Sequence, residues 1–259
     1  MKAKYLYLVI FSLLILSACN SNSKKEKQPD PKTKETTEVK KAKKPVTPEQ
    51  PYVYGIDISA YQGNETDVIN AHKDTLGFVF CKATQGAYFT DPKFKDNWPQ
   101  IKKDGFIRGA YHFYMAQNDP VLQAKLFATT VGKLEPTDLP PVIDFEGGGM
   151  DASKTVEETV SGLIVFIETL EKELGKRPMI YTDIPTADKY LVDAKFSAYA
   201  LWIANYTNAP QPDLPNTWKS AGWTFWQRDA DYKLDNFTDD SDVFNGDITK
   251  LKDFIANYQ

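Results

Sequence analysis

Cysteine and histidine are scarce in this chain, with two of each in 259 residues. A disulfide framework is therefore excluded, and a core must hold the fold together. No cluster of His, Cys and Asp has the spacing of a metal site, so neither a metal nor any other cofactor is expected. No Gly-x-Ser-x-Gly elbow, phosphate-binding loop or dinucleotide fingerprint occurs, which removes the common serine-hydrolase and nucleotide-binding classes. Long apolar runs are also missing. The longest candidate, Tyr5 to Leu16, covers about a dozen residues, whereas a membrane span needs roughly 20.

That short run has another use. Lys2 and Lys4 precede it, and Leu16-Ser17-Ala18-Cys19 follows, so residues 1–18 read as an export signal. The last four residues resemble a bacterial lipobox, which implies cleavage before Cys19 and lipidation of its thiol. Lipid anchors work by burying methylenes, at about 0.8 kcal/mol each. The expected location is the cell envelope, on a membrane. Residues 19–50 then form a tether, with Pro29, Pro31, Pro45, Pro48 and nine lysines between Lys24 and Lys44. Such a segment cannot bury enough surface to offset its ordering entropy.

Charge divides at the end of the tether. Residues 1–50 hold eleven Lys against five acids, a net +6. The whole chain is −4, which leaves −10 on residues 51–259. An acidic domain argues against nucleic acid as a partner. The Lys-rich tether suits either an anionic surface or a plain solvated spacer.

From Tyr52 onward, apolar runs alternate with amphipathic segments. The runs lie at 53–58, 77–83, 107–114, 141–145, 178–182, 200–204 and 222–227, and several are apolar almost throughout, as strands covered on both faces are. Helices are predicted at 64–73, 92–104, 119–132, 156–174 and 185–193. The fourth is the clearest. Thr155 and Glu158 make a capping box, Val160, Leu163, Ile164, Ile167, Leu170 and Leu174 repeat at helical spacing, and Gly175 stops it. Strands alternating with helices imply parallel crossovers. The fold class is α/β, an irregular barrel with fewer helices in its last third. Phe80, Trp223 and Phe225 are core candidates, as is Cys81, a buried thiol. His72 is expected to face solvent and His112 to lie in a strand.

In parallel barrels, chemistry collects at the C-terminal strand ends. Here those ends carry acids: Asp57, Asp144 with Glu146, Asp183, and Asp242 near the C-terminus. An acid after a strand is ordinarily a turn residue or a helix cap. Asp144 and Glu146 differ, because residues i and i+2 of a strand share a face across roughly 6.6 Å of rise. Mutual repulsion and burial then keep one of them protonated near neutral pH. Glycoside hydrolysis needs that asymmetry, with one neutral acid for the leaving oxygen and one anion for developing positive charge. The alternative is structural: Glu146 caps a loop and Asp144 pairs with a buried cation. Tyr61, Tyr111, Tyr114, Tyr181, Trp202, Tyr206 and Trp226 cluster near strand ends, where their rings either stack on sugars or pack the core.

These segments together resemble the family-25 glycoside hydrolases, lysozymes that cut cell-wall glycan. The matching residues are Gly55-Ile56-Asp57-Ile58-Ser59 with Tyr61-Gln62-Gly63, Phe78 to Thr84, Gly109-Ala110-Tyr111-His112-Phe113, and Pro141 to Glu146. Leu201-Trp202-Ile203-Ala204, Trp226-Gln227 and Asp242-Val243-Phe244 complete an ordered series over about 52–250. The resemblance implies five β/α units plus three further strands, and cleavage of the β-1,4 bond between N-acetylmuramic acid and N-acetylglucosamine in peptidoglycan. It implies Glu146 as proton donor, Asp144 assisting the substrate N-acetyl group, and Asp57 and Asp242 as the remaining acids. Substrate contacts are expected from Tyr61, Lys82, Gln85, Tyr111, Tyr114, Tyr181, Asp183, Trp202 and Trp226, with Asp183 at the rim. A monomer is expected. Many members carry Glu where this chain has Gln85, which keeps hydrogen bonding and removes a charge. Two other readings stay open: a chitinase-like glycosidase, although Val142 occupies a position where that motif has Asp, and a wall-binding lipoprotein without activity.

Overall fold

In a computed structural model, residues 52–61, 69, 71, 72, 74–234 and 237–259 are described. The chain divides into two units, Met1–Val46 and Thr47–Gln259. Residues 1–51 lie outside the described residues, and with them the export signal, Cys19 and the whole tether.

Among the described residues, nine strands form one sheet. In chain order the elements are β1 (Val53–Ile58), β2 (Leu76–Gln85), β3 (Phe89–Thr90), α1 (Phe94–Lys103), β4 (Ile107–Phe113), α2 (Pro120–Val131), β5 (Val142–Asp144), α3 (Val156–Leu174), β6 (Met179–Asp183), α4 (Ile184–Tyr190), β7 (Leu201–Ala204), β8 (Phe225–Leu234), β9 (Phe237–Phe244) and α5 (Ile248–Asn257). Strands β1, β2, β4, β5, β6, β7 and β8 run parallel in that order. Antiparallel β9 pairs with both β8 and β1 and closes the barrel. The two-residue β3 folds back on the end of β2.

The barrel is irregular because helices flank only part of it. α3 forms as its sequence dictates. Thr155 Oγ1 accepts from Glu158 N, Glu158 Oε2 accepts from Thr155 N, and Gly175 ends the helix at φ 64°. Its Leu163, Phe166, Ile167 and Leu170 are buried against the barrel's outer layer. Helices α1 and α2 fall within the predicted spans, and α4 overlaps its predicted 185–193 but starts one residue earlier and stops at Tyr190; most of the predicted 64–73 helix lies outside the described residues. The predicted strand at 222–227 starts later, at Phe225, because Gly222 turns the chain at φ 82°. Strands β3 and β9 and helix α5 had no counterpart among the predicted elements.

Strand alternation sorts the apolar residues into two layers. One side chain set, including Val79, Cys81, Ala110, Ile143, Ile180 and Ile203, packs outward under the helices. The other, including Phe78, Phe80, Tyr111, Val142, Met179, Trp202, Phe225 and Phe244, fills the barrel interior. Phe80 stacks on Trp202 at 4.2 Å between centroids. Gly55 and Gly109 make room there, since a Cβ on either would overlap the Phe78 or Phe80 ring. Each such large side chain contributes roughly 1.5–3 kcal/mol by leaving water. Aromatic filling stops short of the C-terminal strand ends, and the same inward positions turn polar beyond it.

Candidate active site

Above the aromatic plug lies a cavity of about 280 Å³. Every strand from β1 to β9 except β3 supplies it or closes beneath it. Asp57 comes from β1, Lys82 from β2, Tyr111 and Phe113 from β4, and Asp144 from β5. Glu146 follows two residues past Asp144. Tyr181, Trp202, Gln227 and Asp240 come from β6, β7, β8 and β9, and Tyr206 reaches in from the segment after β7. The predicted pair thus meets on one face, at one cavity, beside a single lysine.

Asp144 is 7% exposed, and its Oδ1 has no hydrogen-bond partner among the described residues. Burial raises its pKa well above the ordinary carboxyl value, the Glu146 carboxylate adds to this, and Lys82 opposes it. Glu146 is half-buried; desolvation and the nearby Asp183 raise its pKa, again against Lys82. The Glu146 carboxylate therefore discourages ionisation of Asp144, and the pair keeps a proton where an isolated carboxyl would lose it. Burial pushes the Lys82 ammonium down, while Asp144, Asp91, Glu146 and Asp57 hold it up. Its Nζ donates to Gln85 Oε1 at 2.8 Å and sits 4.9 Å from the centre of the Phe113 ring.

Asp242 lies at the floor, fully buried. Trp202 donates from Nε1 to its Oδ1 at 2.8 Å. Burial and the neighbouring Asp57 raise its pKa well above the ordinary value, against that donor. Gln227 ties the opposite wall together. Its Nε2 donates to Asp57 Oδ2 at 2.7 Å, and its Oε1 accepts the hydroxyls of Tyr181 and Tyr206, each at 2.8 Å.

Of the predicted site residues, Asp57, Lys82, Tyr111, Asp144, Glu146, Tyr181 and Trp202 line the cavity. Asp242 supports it from below, and Gln85 borders it through Lys82. Asp183 behaves as a helix cap, accepting from Thr186 N at 2.7 Å and Thr186 Oγ1 at 2.9 Å, and touches the site through its charge on Glu146. Tyr61 is 98% exposed and does not line the cavity.

Two predicted contacts need correction. Tyr114 is 1% exposed and packs on Phe145 and Phe166 beneath α3. Trp226 is wholly buried against Trp223, with Nε1 donating to Asn205 O at 2.7 Å. Both face outward because each is one residue out of step: Phe113 and Gln227 hold the inward positions. Strand parity was the signal that could have found those two. Asp240 was also missed, on a strand not predicted. His112 is buried in β4 rather than in the cavity, and Cys81 is a buried free thiol as expected.

Paired carboxyls at the C-terminal mouth of a closed, mostly parallel barrel, walled by aromatic rings, are the arrangement of a barrel glycosidase. Residues 56–237 match the family model "Glycosyl hydrolases family 25". The chain belongs to that family and is a glycoside hydrolase of the lysozyme type. It is 32% identical over 209 residues to the uncharacterized protein YegX of Escherichia coli (strain K12), covering 78% of this chain and 73% of YegX. It is 29% identical over 214 residues to an N,O-diacetylmuramidase of Arthroderma benhamiae, covering 78% of this chain and 86% of that one. The crystal structure of a bacterial lysozyme from Streptomyces coelicolor superposes with a TM-score of 0.71 at 27% identity, covering 80% of this chain and 98% of that one.

Proposed function

We propose that the protein is a peptidoglycan muramidase, cleaving the β-1,4 bond between N-acetylmuramic acid and N-acetylglucosamine. Glu146 is the general acid, and Asp144 assists the substrate's N-acetyl group. The observation that carries this reading is the shared placement of Asp144 and Glu146 in one open-mouthed cavity beside Lys82. Kinship with an N,O-diacetylmuramidase and a bacterial lysozyme supports the choice of substrate.

The roles follow from surroundings. Glu146 is the more exposed of the pair and its pKa is raised by desolvation, so it is the carboxyl placed to reach the glycosidic oxygen and donate as the C1–O bond breaks. The acetamido carbonyl oxygen of the same sugar attacks C1. Its N–H then needs an acceptor, and the Asp144 carboxyl at the cavity wall offers one. The Asp144 carboxylate also offsets the positive charge that develops on the acetamido group. Water, giving its proton to the Glu146 carboxylate, opens the intermediate and restores the acid.

The test is digestion of purified peptidoglycan, with chitin in parallel, by wild type and by Glu146→Gln. Wild type should release muramic acid reducing ends from peptidoglycan. The variant should fold and lose about 10²–10⁴-fold of that rate. Near wild-type release by a folded variant would remove Glu146 from the role. Reducing ends from chitin alone would favour a chitinase-like enzyme.

The N-terminal pattern extends the proposal to an exported monomer held at the envelope by lipid on Cys19, with residues 19–50 as tether and 51–259 as catalytic domain. Cys19→Ala should then abolish fatty-acid labelling and free the protein from membranes; labelling that persists would refute the anchor.

A further inference from the structure

The side chain of Gln85 takes no part in the steps above, yet it is the group bonded to the cavity's lysine. Gln85 ends β2, half-buried, three residues after Lys82. Its amide has a clear orientation. Oε1 faces the Lys82 ammonium at 2.8 Å, and Nε2 faces the weakly accepting Met115 sulfur at 3.8 Å. The ammonium is thereby anchored over Phe113 at the cavity wall.

We propose that Gln85 is a positioning residue for the reaction: a neutral acceptor that holds Lys82 at the carboxyl pair without consuming its charge. A carboxylate at the same place would make an ion pair with Lys82 and cancel most of that charge locally. An amide oxygen offers the same hydrogen bond and leaves the charge acting on Asp144 and Glu146.

The consequence depends on what else faces these groups. Lys82 faces Asp57, Asp91, Asp144 and Glu146; Asp144 also faces Asp57 and Asp183, and Glu146 also faces Asp183. The charges facing Lys82 are acidic, and among the described residues Lys82 opposes proton retention by both members of the pair. With its charge uncancelled, the pair releases its protons at lower pH than it would beside a Lys–Glu ion pair. The general acid consequently works over a range displaced toward lower pH. Position 85 sets that range without touching the reacting bond. The kinetic part of this inference rests on the muramidase reading; the electrostatic part does not.

The experiment compares wild type, Gln85→Glu and Gln85→Leu as full folded chains. The ¹³C carboxyl resonances of Asp144 and Glu146 are titrated in each, and the pH profile of peptidoglycan lysis is recorded alongside. Gln85→Glu should move the carboxyl midpoints, and the alkaline limb of lysis, upward by about one pH unit. Gln85→Leu frees Lys82 but adds no charge, so it should lower the lysis rate with a clearly smaller midpoint shift. Unchanged midpoints in Gln85→Glu would overturn the proposal, as would an equal shift in Gln85→Leu, which would mark a merely structural role. Should the midpoints move while wild type lyses nothing, the muramidase reading fails and the electrostatic role stands. If lysis proceeds and the midpoints stay fixed, it is the role of Gln85 that fails.

Discussion

Gln227 donates from its amide nitrogen to Asp57 Oδ2 across 2.7 Å inside the barrel, and this bond fixes which way the amide faces. The reverse orientation would set its oxygen against a carboxylate and its N–H₂ toward two hydroxyls that now donate. One neutral side chain on β8 thus orients an acid on β1, Tyr181 on β6, and Tyr206 at the cavity's outer wall. It does so while almost fully buried.

Replacing it should therefore cost both stability and rate. Gln227→Leu keeps the approximate volume, but deprives buried Asp57 of a donor and the Tyr181 hydroxyl of its acceptor. Denaturant unfolding should show a loss of about 1–3 kcal/mol, the usual cost of an unsatisfied buried polar group. Lysis should fall as Tyr206 loses its hold. A variant as stable and active as wild type would show that the bond network is incidental.

Asp144→Asn separates stability from activity through pH. The folded state holds the Asp144 proton more tightly than the unfolded chain, whose carboxyl has the ordinary value of 3.8. The stability this group contributes is complete below that value and is lost as pH rises through the folded pKa. Asparagine cannot ionise. The variant's stability relative to wild type should thus increase from about pH 4 upward, by at most about 1.4 kcal/mol per pH unit. Its lysis should drop sharply at every pH. Denaturation at several pH values checks this, and a difference independent of pH would contradict it.

His112 should act in the opposite direction. Gln123 Oε1 already accepts from Met115 N at 2.9 Å, so His112 Nε2 must donate to it at 3.2 Å. Nδ1 is then the acceptor for the Thr84 hydroxyl at 2.7 Å. This ring is neutral and buried against Phe166, and burial pushes its pKa down to about 3 from 6.5. Its contribution to stability is complete above 6.5 and is lost as pH falls toward 3. His112→Gln, though less stable at neutral pH, should lose stability less steeply than wild type across that window, by up to about 1.4 kcal/mol per pH unit. Parallel acid-unfolding curves would count against a neutral buried histidine.

Legibility varied with how local each signal was. Helix α3 was readable to the residue because its capping box, its apolar stripe and its terminal glycine lie within one segment. α5 carried comparable cues, with Asp247 as cap and Ile248, Leu251 and Ile255 at helical spacing, but was not assigned. β9 was harder. Its run Phe237-Thr238-Asp239-Asp240-Ser241-Asp242-Val243-Phe244 reads as polar, and its strand character comes from pairing with β1 and β8 on either side. For the site, Asp57, Asp144 and Glu146 were found from their places at strand ends, whereas Asp240 was not. Trp226 and Tyr114 misled because an aromatic beside a strand end has no visible facing until the register is known.

Amino-acid order alone determined the α/β alternation, the i, i+2 relation of Asp144 and Glu146, and the acidic balance of the domain. All three are properties of neighbours along the chain or of composition. Which side chains face the cavity, and which charge each one feels, was decided by closure of the barrel. Lys82 meets Asp144, and Gln227 meets Asp57, across 62 and 170 positions of sequence. Electrostatic and hydrogen-bond energies depend on ångström separations and on exclusion of water, and these exist only once distant strands are packed together.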